Sequence, residues 1–277
     1  MRPPPLACTV RACGAPLTRI DDTFRCVRGH AYDVARRGYV NLLQPQDRKS
    51  AEPGDSRDAV EARARLLAAG IGATTIDAIV ERAARLPLTG PPVVVDLGSG
   101  TGETLARLAR TREVCGVGVD LSSAAASHAA RHCPGITWVV ANVDRGVPLL
   151  DASADLVVSV HARRNPSECA RILRPSGFLL VAIPAPDDLI ELRTAVQGEP
   201  RTRDRADPLI VDHQAVFDVV ERSTASARLT LGREALLRLL RSTYRGERLR
   251  QSARAGALES LTVTFASELV LFSPRRP

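Results

Sequence analysis

The segment that decides the fold is VVVDLGSGTG, residues 93–102, a β-branched strand pattern followed at once by a glycine-rich turn. The helical pattern ETLARLART begins directly after it. Glycines allow a tight turn and a close approach of the backbone to a ligand, and the amino end of a helix favours an anionic group. The glycine spacing is G-x-G-x-G rather than the G-x-G-x-x-G of dinucleotide-binding enzymes. The segment therefore predicts a ligand-binding strand–turn–helix unit and disfavours a nicotinamide dehydrogenase.

On the carboxyl side of this unit, strand patterns and helix patterns alternate. The further strand patterns cover residues 114–121, 136–142, 155–161 and 177–184, with helical segments such as SSAAASHAARH and PSECARILR (166–174) between them. This alternation predicts an α/β protein with a doubly wound parallel sheet. A helical patch at about 186–197 and a polar stretch (198–208) come next. The remaining sequence predicts a helix, a strand (ARLTL), a further helix (REALLRLLRSTY) and a last strand, SLTVTFASELVLF.

On the amino side, residues 57–86 carry apolar residues at helical spacing, and Gly70 and Gly72 split this stretch into two helices. Pro87 and the run Gly-Pro-Pro at 90–92 mark a boundary. The first 45 residues have a different composition, with three of the six cysteines and few helix signals. We therefore predict a small module (1–45), a helical linker (46–90) and a large α/β domain (91–277).

The small module contains a pattern typical of zinc ligands, C-x4-C-x12-C-x3-H, formed by Cys8, Cys13, Cys26 and His30. Two such knuckles brought together give a tetrahedral Cys3His site with no open position, which indicates structural rather than catalytic Zn²⁺. A segment of about 40 residues also has too little core to fold well alone, so a metal would help to stabilise it. The alternative is scattered reduced thiols with a surface histidine. The other cysteines, Cys115, Cys133 and Cys169, are expected to be buried reduced thiols.

Charge is concentrated in the same region. The chain of 277 residues has a net charge of +7, and residues 1–50 hold nine basic and four acidic residues, which leaves +2 for the rest. A basic module on a nearly neutral body indicates an anion-binding surface, with nucleic acid the leading candidate, or simply a solvated basic face. Phe24, Tyr32 and Tyr39 suit either base stacking or a small aromatic core.

The composition also bears on location. Hydrophobic residues make up 44% and charged residues 25% of the chain, as in ordinary globular proteins. No apolar run approaches the roughly 18 residues of a membrane span, and the first residues lack the apolar core of a signal peptide. We therefore expect a cytoplasmic protein that does not bind a membrane.

Acidic and polar residues follow the predicted strands. Asp96 lies two residues before the first glycine, and Asp120 ends the second strand, where it can accept hydrogen bonds from ribose hydroxyls. The D-x-G-x-G-x-G run with this second acid resembles class I S-adenosylmethionine-dependent methyltransferases. The resemblance implies a Rossmann-like sheet and S-adenosyl-L-methionine as cofactor, with polar contacts from the end of the third strand. The implied cofactor-binding residues are Asp96, Gly98, Ser99, Gly100, Thr101, Gly102, Asp120, Leu121, Asn142 and Asp144.

A narrower resemblance rests on three further segments: FRCVRGHAYDVARRGYVNLLQPQ (24–46), PGDSRDAVEARARLLAAG (53–70) and RNPSECARILRPSG (164–177). Together with the cysteine knuckle they are similar to the 23S rRNA guanine-N1 methyltransferases, a family that includes a tylosin-resistance enzyme of antibiotic producers. The resemblance implies a zinc module that helps to recognise a 23S rRNA hairpin, a helical linker and a catalytic domain. It also implies methylation of guanine N1 in a loop near the macrolide site, by a homodimer.

The chain departs from this family at several positions. Val10 stands where the first zinc cysteine is usual, so Cys8 must reach in from a longer turn. Gly72 replaces a tyrosine near the cofactor, and Asp188 replaces a histidine after the fifth strand. His161-Ala162-Arg163 replaces an aromatic-Ala-Pro triplet. These changes surround the cofactor and the substrate, and they leave open a different target or weakened activity.

The chemistry would be in-line transfer of the sulfonium methyl group to guanine N1, with the enzyme mainly positioning the two reactants. Guanine N1 carries a proton that must be accepted, and His161, Asp188 and Asp144 are the candidate acceptors. Arg163 and Arg164 either hold phosphate, polarise the guanine carbonyl or lie in an exposed loop. Catalytic roles are therefore predicted for His161, Arg163 and Asp188. A small-molecule methyltransferase and a non-catalytic zinc and RNA-binding protein remain as alternatives.

Overall fold

A computed structural model describes residues 3–47, 54–198, 202–243 and 257–275. Its amino-terminal part holds a three-stranded antiparallel sheet, in the order β1-β2-β3. A further strand and a short 3-10 helix (Pro45–Asp47) follow. The strands are β1 (Leu17–Ile20), β2 (Thr23–Cys26), β3 (Ala31–Asp33) and β4 (Tyr39–Asn41).

Two helices follow, as the sequence predicted. The first, α1 (Arg57–Ala68), begins at Ser56, whose side chain accepts a hydrogen bond from the amide of Ala59, an ordinary N-cap. The second is α2 (Ala73–Ala84). Between them the backbone turns at Gly70 and Gly72. Both glycines have positive φ, a conformation that glycine adopts without steric cost, so the predicted break at these residues is confirmed.

The larger part alternates strands and helices over a single sheet. Eight strands lie in the order β10-β11-β9-β8-β5-β6-β7-β4. The strands are β5 (Val93–Leu97), β6 (Cys115–Asp120), β7 (Thr137–Val140), β8 (Ala154–Val160), β9 (Leu173–Pro184), β10 (Phe217–Gly232) and β11 (Ser260–Pro274). The helices are α3 (Glu103–Thr111), α4 (Ser123–His132), α5 (Pro166–Ile172), α6 (Ile190–Gln197), α7 (Ala206–His213) and α8 (Arg233–Thr243).

The sheet is mixed, whereas the sequence predicted a parallel one. Strands β4 to β9 pair in parallel, but β11 runs antiparallel to both β9 and β10. The reversal arises because the chain leaves β10 through α8 and returns between β9 and β10. Hydrophobic content alone predicts that a segment is a strand, but it does not give the direction in which that strand runs.

Several boundaries also differ from the sequence prediction. Strand β9 begins at Leu173, and α5 ends at Ile172 rather than at residue 174. Pro175 explains the early end, because proline disfavours helical backbone at the residue before it and cannot donate to the helix. Helix α6 begins at Ile190 rather than near 186, after a turn that contains Pro186. The predicted last residue of the helix before β11, Tyr244, lies outside the described residues.

The amino-terminal part and the large sheet share one hydrophobic core. Leu6, Phe24 and Leu42 pack in the same buried cluster as residues of β5 and β9. Strand β4 pairs in parallel with β7 at the edge of the large sheet, so the predicted module of residues 1–45 also supplies a strand to that sheet. Phe24 is buried, which favours the core interpretation of the amino-terminal aromatic residues.

The cysteines outside the amino-terminal part are free thiols. Cys115 and Cys169 are buried as predicted, whereas Cys133 is half-buried. Burial raises the pKa of Cys169 to about 12, so this thiol is inert at neutral pH. Among the described residues, none of the helices combines the length and apolar character needed to cross a bilayer.

Candidate functional site

A cavity of about 810 Å³ lies at the carboxyl ends of the parallel strands. Ligands of open α/β sheets bind at this edge, because the loops that leave the strands meet there. One half is lined by the glycine turn after β5 and by the ends of β6 and β7. The other half is lined by the residues that follow β8 and β9, with contributions from α1, α2, α8 and β11.

The glycine turn is closely packed on both sides. A Cβ atom at Gly98 would lie 2.3 Å from the Cβ of Ala162, so the turn can approach the loop after β8 only without a side chain. Gly98 has φ +76°, which again favours glycine. A Cβ at Gly102 would lie 2.5 Å from the Trp138 ring. Gly102 is the one predicted cofactor residue that does not line the cavity, and it serves the packing of α3 on the sheet.

Asp96 is the most unusual group in the cofactor half. It is 1% exposed, and neither carboxylate oxygen accepts a hydrogen bond from the described residues. The hydroxyl of Ser99 likewise has no partner there. Burial, with the negative charge of Asp120, raises the pKa of Asp96 to about 7. Buried polar atoms are normally satisfied, so these orphaned acceptors indicate a missing donor.

Asp120 is held firmly at the end of β6. Its two oxygens accept hydrogen bonds from the amides of Gly100 and Ser122, both at 2.8 Å. Burial raises its pKa, and these two donors lower it in part. Beyond β7, the side chain of Asn142 accepts a bond from the amide of Asp144 at 3.1 Å. Thr101 and Leu121 also line this half of the cavity.

Arg63 lies beside the glycine turn, and the sequence reading did not single it out. Its guanidinium forms an ion pair with Asp55 at 2.8 Å and donates to the carbonyl of Ser242 at 2.8 Å. The same group lies 3.5 Å from the position of a Cβ at Gly100. Arg63 therefore ties the linker helix α1 to both the glycine turn and α8. The only sequence signal for this region was the family resemblance of the segment PGDSRDAVEARARLLAAG, which contains Arg63.

His161 directly follows β8 and lines the cavity. Its backbone has φ +50°, an uncommon conformation for histidine that is costly unless the surroundings enforce it. Its Nε2 lies 2.8 Å from the hydroxyl of Ser267, which in turn lies 2.7 Å from that of Thr75. His161 is exposed on the side that lines the cavity. Partial desolvation of the ring, with the charges of Arg63 and Arg205, lowers the pKa of His161 to about 4.

Asp188 lines the second half of the cavity, in the turn after β9. Burial raises its pKa to about 6, although the backbone amide of Ala266 and the charges of Arg193 and Arg205 oppose this rise. The arginine-rich rim on this side is formed by Arg163, Arg193, Arg203, Arg205 and Arg241. No sequence motif identifies the rim residues beyond 198, because they come from separate elements.

The two arginines after β8 differ in their surroundings. Arg163 is exposed and forms an ion pair with Asp144 at 3.3 Å. Arg164 instead donates to the buried Nε2 of His213 at 3.2 Å and to the carbonyl of Ala162 at 3.0 Å. The suggestion that Arg164 holds a substrate phosphate is therefore wrong for this arrangement, since its guanidinium is committed to the protein interior.

The predicted metal ligands meet at one point. The ligand atoms of Cys8, Cys13, Cys26 and His30 all lie within 4.8 Å of one another. The His30 Nδ1 is 3.4 Å from the Cys8 sulfur and 3.5 Å from that of Cys26. Zn–S and Zn–N bonds of about 2.3 and 2.0 Å give tetrahedral edges of about 3.5–3.8 Å, so the four groups fit a zinc ion. The longer turn at Val10 therefore still brings Cys8 to the cluster.

Comparison with known proteins identifies the family. Residues 94–177 match the family model described as a methyltransferase domain, and residues 7–51 match the zinc-ribbon model described as "RlmA, N-terminal". The chain is 41% identical to the 23S rRNA (guanine(748)-N(1))-methyltransferase of Streptomyces fradiae, over 82% of this chain and 81% of that protein. The chain belongs to the 23S rRNA (guanine-N1)-methyltransferase family. The predicted family, enzyme class and fold class are thereby confirmed.

A second relative extends the match to the whole length. A Micromonospora griseorubida protein that bears the family name 23S rRNA (guanine-N(1)-)-methyltransferase is 35% identical, over 98% of each chain. Among solved structures, a chain of the Haloferax volcanii complex between the Trm112 methyltransferase activator and a methyltransferase aligns with a TM-score of 0.54 and 19% identity. That alignment covers 80% of this chain and 99% of the other, and it supports the fold alone.

Proposed function

We propose that this methyltransferase transfers the methyl group of S-adenosyl-L-methionine to N1 of a guanine in a 23S rRNA hairpin loop. The observation that carries the proposal is one continuous cavity, which joins a half lined by the glycine turn and the orphaned Asp96 to an arginine-rich half. The Streptomyces fradiae relative is named for guanine 748, so the corresponding guanine is the first target to test.

The cofactor half fits S-adenosylmethionine. That compound carries an ammonium group and two ribose hydroxyls, which are donors for the unpartnered Asp96 and for the remaining lone pairs of Asp120. Gly98 leaves room for the backbone to approach a ligand, and Ser99 supplies a further unpartnered hydroxyl. When bound, the cofactor supplies an electrophilic sulfonium methyl group. Asp96, Ser99 and Asp120 would hold the cofactor in the half of the cavity next to the arginine-rich half.

The arginine-rich half and the amino-terminal cluster fit an RNA substrate. Guanidinium groups bind phosphate oxygens in bidentate fashion, and the lining of this half includes the exposed Arg203, Arg205 and Arg241. The target base must leave its stack to enter the cavity. We propose that the cluster binds structural Zn²⁺, and that the basic module around it contacts the hairpin outside the cavity.

Location, oligomeric state and antibiotic resistance are further parts of the proposal. We propose that the protein acts in the cytoplasm as a homodimer and that its methylation confers resistance to a macrolide. The sequence resemblance supports these points. Light scattering coupled to size-exclusion chromatography tests the dimer. Expression in a susceptible bacterium, compared with a variant lacking activity, tests the resistance.

The main test is methylation of 23S rRNA from cells that lack the enzyme, with labelled S-adenosylmethionine and primer extension. We expect one primer-extension stop, at a single guanine, because methylation at N1 blocks base pairing during extension. Incorporation at another base would contradict the guanine assignment. Cofactor binding with no RNA product would favour a small-molecule substrate, and RNA binding without cofactor binding would favour a non-catalytic relative.

The arginine-rich rim makes a separate prediction. Arg203→Gln is expected to raise the KM for RNA several-fold, to leave kcat nearly unchanged and to reduce the salt dependence of RNA binding by about one charge. Arg110→Gln is the matched control, because Arg110 is exposed near the end of α3, at the opposite edge of the sheet. Equal effects of the two substitutions would show that the rim does not contact the RNA.

A further inference from the structure

The turn after β9 holds Asp188 in a fixed position at the substrate side of the cavity. Three hydrogen bonds join this turn to β11. The Ala185 amide donates to the Ala266 carbonyl at 3.0 Å, and the Leu189 amide donates to the Thr264 carbonyl at 2.7 Å. The amide of Ala266 donates to Oδ1 of Asp188 at 2.9 Å. Asp188 is therefore anchored through one oxygen, and its Oδ2 accepts no bond from the described residues.

The charges around Asp188 come from three directions. Arg193 on α6 and Arg205, just before α7, place positive charge near it, and the neighbouring Asp187 places negative charge near it. Burial outweighs the positive charges, since the pKa is raised to about 6. The carboxylate is thus ionised at neutral pH and more basic than an ordinary aspartate. A general base is most effective when its pKa lies close to the working pH.

The other two candidate bases are less suitable. The Nε2 of His161 is engaged with the Ser267 hydroxyl, and that hydroxyl is backed by Thr75. With a pKa of about 4, the His161 ring is a weaker base than Asp188. Asp144 forms an ion pair with the exposed Arg163. Of these three groups, Asp188 is the one with an oxygen that accepts no bond, and with no direct ion pair, among the described residues.

We propose that Asp188 accepts the N1 proton of the target guanine during methyl transfer. This inference rests on the proposed function. The N1–H bond breaks as its proton moves to Oδ2 of Asp188, and the N1 electron pair forms the new bond to the methyl carbon. The carbon–sulfur bond breaks at the same time and leaves its electron pair on sulfur, giving S-adenosylhomocysteine. The proton then passes from the carboxyl group to solvent.

This role predicts a pH dependence with a definite sign. The carboxyl group must be deprotonated to accept a proton, so the rate of methyl transfer should rise tenfold per pH unit below about pH 6 and level off above it. His161 cannot produce this limb, since its pKa is about 4. The single-turnover rate on the mapped RNA, measured between pH 5 and pH 8, reports the limb directly.

The test compares three variants of the full-length protein. Asp188→Asn keeps an oxygen that can accept the Ala266 bond but removes the base, so we expect the single-turnover rate to fall by about 100-fold to 10,000-fold. The affinities for S-adenosylhomocysteine and for RNA should stay near those of the wild type. Asp187→Asn is the matched control, because Asp187 is adjacent, exposed and outside the cavity lining. Its rate at neutral pH should equal that of the wild type, and its pH limb should move slightly toward lower pH, because the charge of Asp187 contributes to the raised pKa of Asp188.

Asp188→His distinguishes a base from a structural acid, because an imidazole can also accept a proton but titrates with a pKa of its own. It should restore most of the rate and move the pH limb to the pKa of the new imidazole. A wild-type rate in Asp188→Asn, or an unchanged pH limb in that variant, overturns the assignment while the proposed function stands. Failure of the wild-type protein to methylate guanine overturns the proposed function and this inference together.

Discussion

Removal of the metal from the Cys8, Cys13, Cys26 and His30 cluster is expected to lower the Tm of the whole protein by at least about 10 °C. Binding of zinc to such sites contributes on the order of 10 kcal/mol of apparent free energy at neutral pH. The strands β1 to β3 are three or four residues long and bury few side chains, so they cannot replace that contribution. Differential scanning calorimetry with and without a chelator measures the change.

The effect should reach the catalytic part because the two parts share a core. Leu6, Phe24 and Leu42 are at most 3% exposed and belong to the cluster that contains Val95 and Leu179. Burial of each such side chain is worth about 1.5–3 kcal/mol. Unfolding of the amino-terminal part would expose the facing core residues, so we expect one cooperative transition at a lower temperature rather than a separate early transition.

The control for this prediction is a cysteine outside the cluster. Cys13 and Cys133 are both half-buried free thiols. Cys13→Ser should lose zinc during dialysis against a chelator concentration that leaves the wild type loaded, as measured by mass spectrometry of the native protein. Cys133→Ser should retain one zinc per chain. Retention of zinc by Cys13→Ser, with an unchanged Tm, would rule out the cluster as the metal site.

Local sequence patterns were sufficient to predict most of the catalytic fold. The strand pattern of VVVDL and the glycines after it depend on neighbouring residues, and both lie where the sequence placed them. The direction of β11 and the pairing of β4 with β7 depend on contacts between distant parts of the chain. No property of residues 39–41 alone indicates that they form the edge of a sheet whose centre begins at residue 93.

The candidate site divides in the same way. The cofactor half was predictable because its residues come from one turn and from the strand ends that follow it. The sequence analysis did not identify Ser267 or Thr75. A serine within the apolar stretch TFASELVLF was a detectable signal, and the structure shows that Ser267 is 1% exposed. No local sequence pattern identifies Arg203 and Arg205 as site residues, because they line a cavity that several other elements form.

Substitution of the first loop glycine, Gly98→Ala, is expected to weaken cofactor binding by about 100-fold. The added Cβ would lie 2.3 Å from the Cβ of Ala162, so the glycine turn or the loop after β8 must move. Overpacking of this kind costs about 1–3 kcal/mol, and the left-handed backbone at φ +76° adds about 1–2 kcal/mol for a residue other than glycine. Titration calorimetry with S-adenosylhomocysteine measures the affinity.

Two further variants separate crowding from backbone strain. Gly70 has the same φ of +76°, but a Cβ there meets nothing within 4 Å. Gly70→Ala should therefore lose some stability and keep wild-type affinity for S-adenosylhomocysteine. The double variant Gly98→Ala with Ala162→Gly removes the clashing methyl group, so it should recover the part of the affinity that crowding removed. If Ala162→Gly gives no recovery, the glycine turn does not act through its contact with the loop after β8, and Gly98 matters through its backbone conformation alone.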